Sequence, residues 1–312
     1  MAHYLDPKND LTFKRVFGEH KHLCMSLINS MLPLEKPIVS IEYQTGELVP
    51  ELTDVLRNTI VDVRCTDSDH RQFIVEMQLY WSESFKSRVL LNASKAYVMQ
   101  LDKAEKFELL QPVYALNFVN DEFEKSPEMK DEYYHYYKIV NVKNTEKQIE
   151  GLEFLFLELP KFKPQNRAEK KLHELWMRFL TEINERTEKV PEELLENELI
   201  REAVGYMEKA AYTKAQLAAY DKWKIAAMTE RSAINDALRE GKAEGEAIGL
   251  EKGEAIGLEK GKAIGLEEGE HKKAIAVAKK LLEKGMSIQD VSDTTGLTTE
   301  QITKILKQNE MT

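Results

Sequence analysis

Cysteine is scarce in this sequence, which has only Cys24 and Cys65 among 312 residues. Two cysteines cannot build a disulfide framework, and each lies in an apolar stretch where a free thiol acts as a small hydrophobic side chain. We therefore expect a reducing compartment, the cytoplasm. No apolar run approaches the roughly 18 residues that span a bilayer, and residues 1–20 carry charges where a secretory signal is apolar. The sequence thus predicts neither membrane insertion nor export.

Positive charge is also in deficit, with 44 Lys and Arg against 54 Asp and Glu and a net charge of -10. The field of the whole chain repels polyanions, so contact with nucleic acid would require a local basic patch. The seven histidines are dispersed without zinc-ligand spacing, and no glycine-rich phosphate loop follows a predicted strand. The sequence therefore supports neither zinc nor nucleotide chemistry. The length favours about two structural units.

Hydrophobic spacing predicts an α/β fold, a mixed sheet flanked by helices, followed by an all-α C-terminal region. A helix between two buried strands indicates that the sheet is partly parallel. We expect a core domain over 1–165 and a helical extension over 166–240. The predicted elements are helices over 10–32 and 84–104, and strands over 38–43, 59–65, 71–80, 112–119, 133–142 and 152–159.

An eight-residue repeat occupies 241–270, with glycine at every fourth position from 241 to 269. Eight glycines cost a helix about 8 kcal/mol relative to alanine, so the segment is either a linker or marginal helix, or a helix whose small-residue stripe packs against a second helix. Residues 271–312 predict a small helix-turn-helix-like bundle, because Gly285 and Gly296 are positioned as helix stops and Ser287 and Thr298 as N-caps.

Two acids interrupt apolar strands, Asp62 in IVDV and Glu76 in FIVEMQ. The two face each other across a hairpin only if paired residue numbers sum to 138, which requires a turn of three or five residues centred on Asp69. In that register the two carboxylates and the Met77 backbone carbonyl converge as oxygen ligands for Mg²⁺, leaving positions for water and phosphate. A four-residue turn would place the acids on opposite faces. The alternative is a polar strand face that borders a cleft without turnover.

Four segments of the chain between residues 4 and 165 resemble a known family. They are YLDPKNDLTFKRVFG (4–18), IVDVRCTD (60–67), FIVEMQ (73–78) and the stretch from Arg88 through Tyr97 to PVYALNF (112–118). These segments resemble the PD-(D/E)XK nuclease superfamily and, within it, the recombination-promoting nuclease (Rpn) family, also called PD-(D/E)XK transposases.

The resemblance implies a restriction-endonuclease-like core and cleavage of DNA phosphodiesters with Mg²⁺ or Mn²⁺. Asp62 and Glu76 would take the metal-ligand positions, and an acid on the first helix, Asp10, is a further candidate ligand; its alternative role is that of an N-cap or first-turn acid. Gln78 occupies the position of the superfamily's lysine. An amide can orient water or donate a neutral hydrogen bond, whereas lysine stabilises developing negative charge.

The best candidate patch for the DNA backbone lies between residues 84 and 101, which contain no acid. Lys86, Arg88 and Lys95 lie here, and the seven-residue spacing of Arg88 and Lys95 places them on one helical face; Lys14 is a fourth candidate. A merely solvated face is the alternative. We expect a DNA endonuclease linked to recombination or mobile elements. The alternatives are a non-catalytic DNA-binding or oligomerisation module, and regulation of the nuclease by self-association of 241–312.

Overall fold

The computed structural model describes residues 3–48, 59–101, 106–164 and 171–309. Contacts divide the chain into two compact units, Met1–Arg231 and Ser232–Thr312. The strands of the first unit are β1 (Ile41–Tyr43), β2 (Glu47–Leu48), β3 (Thr59–Ile60), β4 (Val63–Asp67), β5 (Gln72–Gln78), β6 (Val113–Val119), β7 (Tyr134–Asn141) and β8 (Asn144–Glu158). Its helices are α1 (Asp10–Phe13), α2 (Lys21–Met31), α3 (Glu83–Val98), α4 (Leu172–Glu182), α5 (Glu192–Glu196), α6 (Glu198–Gly205) and the first part of α7 (Lys214–Glu283).

A six-stranded mixed sheet forms the centre of this unit, in the order β1-β4-β5-β6-β8-β7. The pairs β5–β6 and β6–β8 are parallel, whereas the pairs that involve β1, β4 and β7 are antiparallel. Helix α3 connects β5 to β6, as a parallel pair requires. The predicted partly parallel sheet is therefore confirmed.

Alternation along the strands separates two hydrophobic clusters, one on each face of the sheet. Phe73 and Val75 pack with α2, α4 and α6, in a cluster that includes the fully buried Trp176. Ile74, between them in sequence, packs on the opposite face with α3 through Phe85 and Val89. Glu76 has the same parity as Ile74 and therefore lies on the face that α3 covers.

The predicted single helix over 10–32 is wrong in its continuity. Helix α1 is followed by one π-helical turn, Lys14–Gly18, and α2 begins only at Lys21. The break occurs because His20 is extended (φ -119°, ψ 94°). The buried stripe nevertheless continues across the break, since Phe17 and Leu23 are both fully buried.

The predicted strand 59–65 is likewise divided, into β3 and β4 with a bend at Asp62. Helix α3 ends at Val98, short of the predicted 104, and residues 102–105 lie outside the described part of the chain. Strand β8 begins eight residues before the predicted start at 152 and forms a hairpin with β7. Residues 165–170, at the predicted start of the helical extension, are also outside the described part.

The Ser232–Thr312 unit contains the rest of α7, α8 (Ile288–Thr295) and α9 (Thr299–Asn309). The glycine repeat is helical throughout, and a methyl group built on any of its eight glycines would meet no described atom within 4 Å. Gly285 and Gly296 have φ of 82° and 72°, which suits glycine at helix stops. Ser287 caps α8, and Thr298 exchanges hydrogen bonds with Gln301 at the start of α9. In the described residues, no helix combines the length and the apolar character needed to cross a bilayer.

Candidate active site

The β4–β5 hairpin has the register that the sequence arithmetic requires. Val63 faces Val75 and Thr66 faces Gln72, so paired numbers sum to 138 along the ladder. Residues 68–70 form a three-residue loop, closed by a backbone hydrogen bond of 3.1 Å from Asp67 N to Arg71 O. The prediction of an odd loop centred on Asp69 is confirmed, and the ladder ends at the Val63–Val75 pair, one step before Asp62 and Glu76.

Asp67 holds this loop in shape. Its Oδ1 accepts hydrogen bonds from the backbone N–H groups of Asp69 (3.0 Å) and Arg71 (2.9 Å), and its Oδ2 accepts one from Arg71 Nε (2.8 Å). His70 has a positive φ of 63°, which a three-residue hairpin loop commonly needs at one position. Because a shift of one residue would move every β4 side chain to the other face, this loop determines which acids meet.

Asp62 lies just before β4, and its side chain accepts a hydrogen bond from the backbone of β5 that a strand carbonyl would otherwise accept. Its Oδ2 accepts a 2.8 Å hydrogen bond from the Met77 N–H, and its Oδ1 is 3.7 Å from Lys14 Nζ. The same Lys14 nitrogen is 2.6 Å from Asp10 Oδ1, so the ammonium lies between the two carboxylates. Burial raises the pKa of Asp62, opposed by the Met77 N–H and Lys14. Asp10, the first residue of α1 after the N-cap Asn9, therefore lies near Asp62. We call Asp10, Asp62 and Glu76 the acid cluster.

Glu76 is 6 % exposed and has no cation within ion-pair distance among the described residues. Burial, reinforced by the charge of Asp62, raises the pKa of Glu76 to about 7, and a hydrogen bond from Asn92 and the charge of Arg88 act in the opposite direction. Asn92 Nδ2 donates to Glu76 Oε1 at 3.1 Å. Two neighbouring buried carboxylates without a full complement of positive charge form a site that a cation would stabilise.

Asn92 is a site residue that the sequence analysis missed. It lies on the buried face of α3 with Val89, Ala93 and Ala96, and it is 1 % exposed. A polar side chain in that apolar stripe was the available signal, since a buried amide needs a partner. It also lies one helical turn after Arg88, so both side chains extend toward the end of β5.

Gln78 binds Arg88 instead of standing alone at the lysine position. Gln78 Oε1 accepts a 2.7 Å hydrogen bond from the Arg88 guanidinium, and Gln78 Nε2 donates to the Tyr80 carbonyl at 2.8 Å. The amide is thus oriented at both ends. The arrangement supplies a guanidinium, from α3, beside the position at which the superfamily carries a lysine.

The predicted DNA-contact residues do not form one uniform patch. Arg88 donates a hydrogen bond to Gln78, and Lys14 forms an ion pair with Asp10. The Lys86 ammonium lies 5.2 Å and 5.4 Å from the ring centroids of Trp81 and Phe123. Lys95 lies in the last turn of α3. Arg88 and Lys14 are therefore close to the acids, whereas Lys86 contacts two aromatic rings that lie outside α3.

The donor set fits a hard divalent cation. Asp62 and Glu76 offer carboxylate oxygens, and strand alternation directs the carbonyl of Met77 to the same edge as its N–H, which contacts Asp62. Within the described residues, no group of three or more His, Cys, Asp and Glu side chains could hold a metal ion. One or two carboxylates completed by water and substrate phosphate are how proteins usually bind Mg²⁺.

A mixed sheet with helices on both faces, and an acid pair at the end of a central hairpin, defines a restriction-endonuclease-like fold, followed here by an all-α region. A family model described as PD-(D/E)XK nuclease family transposase matches residues 7–237, and the chain belongs to this family. The match runs past the sheet and includes α4, α5 and α6. A second family model, the C-terminal HTH domain of the Rpn/YhgA-like nuclease family, matches residues 271–307. No curated protein and no solved structure matches the chain.

Proposed function

We propose that this protein is a metal-dependent DNA endonuclease that hydrolyses phosphodiester bonds. The observation that carries the proposal is the hairpin register, because it supports an approach of Asp62 to Glu76, and the buried Glu76 forms no ion pair with any residue that the structure describes. Membership of a nuclease family agrees with this chemistry. The transposase in the family's description supports a role in recombination or mobile elements.

Asp62, Glu76 and the Met77 carbonyl would hold Mg²⁺ or Mn²⁺, whereas Asp10, the further candidate ligand, pairs with Lys14 beside Asp62. Such an ion neutralises phosphate charge and promotes ionisation of water. Lys14, which lies between Asp10 and Asp62, neutralises part of the acid cluster before DNA binds. Asn92 orients the Glu76 carboxylate through its hydrogen bond.

Arg88 would provide the positive charge that the lysine provides elsewhere in the superfamily. Gln78 then acts mainly as a positioning residue, because its oxygen orients the guanidinium and its nitrogen is held by the Tyr80 carbonyl. A guanidinium beside the scissile phosphate stabilises charge that develops on the phosphate oxygens. In this proposal, Lys86 and Lys95 of α3 hold the DNA backbone on either side.

The C-terminal helix-turn-helix domain would supply additional DNA affinity through α9, the second helix of the motif. Thr303, Lys304 and Lys307 lie on α9, which contains a single acid, Glu300. In helix-turn-helix proteins the second helix enters the major groove. This is also the region through which we propose that the protein forms a homo-oligomer; deletion of residues 241–312 without a change in either solution mass or cleavage would contradict that role.

The decisive experiment is nicking of supercoiled plasmid by the full chain with MgCl₂, MnCl₂ or EDTA. We expect cleavage only with a metal, and a loss of at least about 100-fold in Asp62→Asn and in Glu76→Gln. Glu108→Gln, which alters an exposed acid outside the site, is the matched control and should cleave like wild type. Equal nicking by wild type and Glu76→Gln would refute the assignment.

A non-catalytic DNA-binding module is the second candidate, and the amide at position 78 favours it. The two candidates differ in metal binding as well as in turnover. Calorimetric titration of wild type with Mn²⁺ should show binding that Glu76→Gln weakens. If wild type binds DNA but neither binds the metal nor nicks the plasmid, the non-catalytic candidate is correct.

A further inference from the structure

A cavity of about 610 Å³ lies at the carboxyl ends of β5 and β6. Its wall includes Tyr80 and Asn120, which follow those strands, Asn9 of the N-terminal segment, and Trp223 of α7. All of these residues belong to the Met1–Arg231 unit. The volume is typical of a pocket for one small ligand and is far too small for a duplex.

Two direct connections join this cavity to the proposed active site. Asn9 precedes Asp10, and Tyr80 is two residues after Gln78, whose amide nitrogen donates to the Tyr80 carbonyl. The wall of the cavity therefore contains the chain neighbour of Asp10 and a residue that Gln78 contacts, so it adjoins both of these site residues along the chain.

The lining combines aromatic rings with cations. Four basic side chains border the cavity against two acids; Lys8 pairs with Asp6, and Lys224 pairs with Glu185. The remaining two, Arg186 and Arg231, form no ion pair with a described residue, and the Arg231 guanidinium lies 5.9 Å from the centroid of the Tyr80 ring. Half-buried aromatic rings with unpaired guanidinium groups are the chemistry that binds a base by stacking and its phosphate by charge.

One polar residue of the wall, Asn9, is held in place by its role as a helix cap. Asn9 is buried and caps α1 through Oδ1, which accepts from the Leu11 N–H at 2.9 Å. Its Nδ2 has no hydrogen-bond partner in the described structure. Because this nitrogen is itself inaccessible to solvent, the missing hydrogen bond is a cost within the fold and not a contact offered to the cavity.

We propose that the cavity binds one unpaired nucleotide of the DNA, next to the bond to be cleaved, with its base against Trp223 and Tyr80 and its phosphate near Arg186 or Arg231. The inference rests on the proposed nuclease function for the identity of the neighbouring site. A nucleotide enters such a recess only when it is unstacked, which costs least at a bulge, mismatch or single-stranded stretch. The substrate class is therefore DNA with an unpaired nucleotide at the cleavage position.

The test uses a short duplex with 2-aminopurine as a single-nucleotide bulge, bound to the full chain in EDTA so that no cleavage occurs. With the complex saturated by anisotropy, stacking on Trp223 should quench 2-aminopurine fluorescence at least twofold. Trp223→Phe should retain most of the quenching, because it keeps an aromatic ring, and Trp223→Ala should lose it. Phe107→Ala removes an aromatic side chain that is 81 % exposed and does not line the cavity, so it should behave like wild type.

A second measurement concerns the cations. Arg186→Gln should reduce the salt dependence of bulged-duplex binding by about one phosphate contact, which is a log-log slope change of roughly 1. Unchanged fluorescence in the saturated wild-type complex, or equal quenching by Trp223→Ala, would overturn the inference. Plasmid nicking with MgCl₂ is measured in parallel, since its absence from wild type would refute the nuclease function, whereas nicking without quenching would refute only the nucleotide pocket.

Discussion

Replacement of Glu76 by glutamine should change the pH dependence of stability in a direction that the site geometry dictates. Burial and the charge of Asp62 raise the pKa of Glu76 from 4.5 to about 7 in the folded protein. Between these values the folded protein keeps a proton that the unfolded chain has released, so wild type loses stability as the pH rises. The loss is complete above pH 7 and absent below pH 4.5. A difference of about 2.5 pKa units corresponds to about 3 kcal/mol.

Glutamine carries no charge and can accept the same hydrogen bond from Asn92, so the variant should lack this loss. We expect the stability of Glu76→Gln relative to wild type to increase by about 3 kcal/mol between pH 4.5 and pH 8. Urea unfolding in EDTA, followed by tryptophan fluorescence, measures it, since all three tryptophans lie in the Met1–Arg231 unit. Glu108→Gln, at an exposed site, serves as the control and should change stability little at either pH. Parallel pH profiles for Glu76→Gln and wild type would refute the reasoning.

Three further predictions concern the hairpin, the guanidinium and the repeat. Asp67→Ala removes three loop hydrogen bonds and should lower the free energy of unfolding by about 2–4 kcal/mol. Asp69→Ala, at an exposed position of the same loop, should lower it by less than about 0.5 kcal/mol, and equal urea midpoints for the two variants would contradict the prediction. Arg88→Ala should reduce plasmid nicking by about 10²–10³-fold and Arg88→Lys by less, and a wild-type rate in Arg88→Ala would exclude its role. Alanine at Gly249, Gly253 and Gly257 together should stabilise the helix by about 1 kcal/mol per site and raise the helicity measured by circular dichroism, because nothing described lies within 4 Å of the added methyl groups. A lower solution mass of this variant would instead indicate that the glycines form a helix–helix interface.

Much of the sheet follows from local patterns in the sequence. Strands β5 and β6 read as apolar runs bounded by turn residues, and their actual limits, Gln72–Gln78 and Val113–Val119, differ from the predicted ones by at most two residues. The register of the hairpin could be predicted only as a condition, because a loop of three or five residues centred on Asp69 gives paired numbers that sum to 138 and a loop of four does not; the structure has the loop of three. The helix break at His20 could not, since the spacing of apolar residues remains helical across it.

Local sequence patterns do not show which side chains the site residues contact. The strand pattern showed that Glu76 is polar where its neighbours are apolar, but not that Asn92 would bind it or that Asp62 would take the Met77 N–H in place of strand pairing. Likewise the sequence shows that Gln78 replaces the family's lysine, but only the packing of α3 on β5 shows that the Arg88 guanidinium reaches the Gln78 side chain. Each of these contacts joins elements whose relative rotation is set by the core.

Taken alone, the sequence determined which stretches are buried and where turns occur, because side-chain periodicity and turn chemistry act over a few residues. The tertiary structure decided which side chains surround the strand-borne acids and which residues meet far along the chain. Asn9, Tyr80 and Trp223 are separated by 71 and 143 positions and line one cavity. Such proximity depends on how whole helices and strands pack to bury their apolar faces, and no local pattern encodes it.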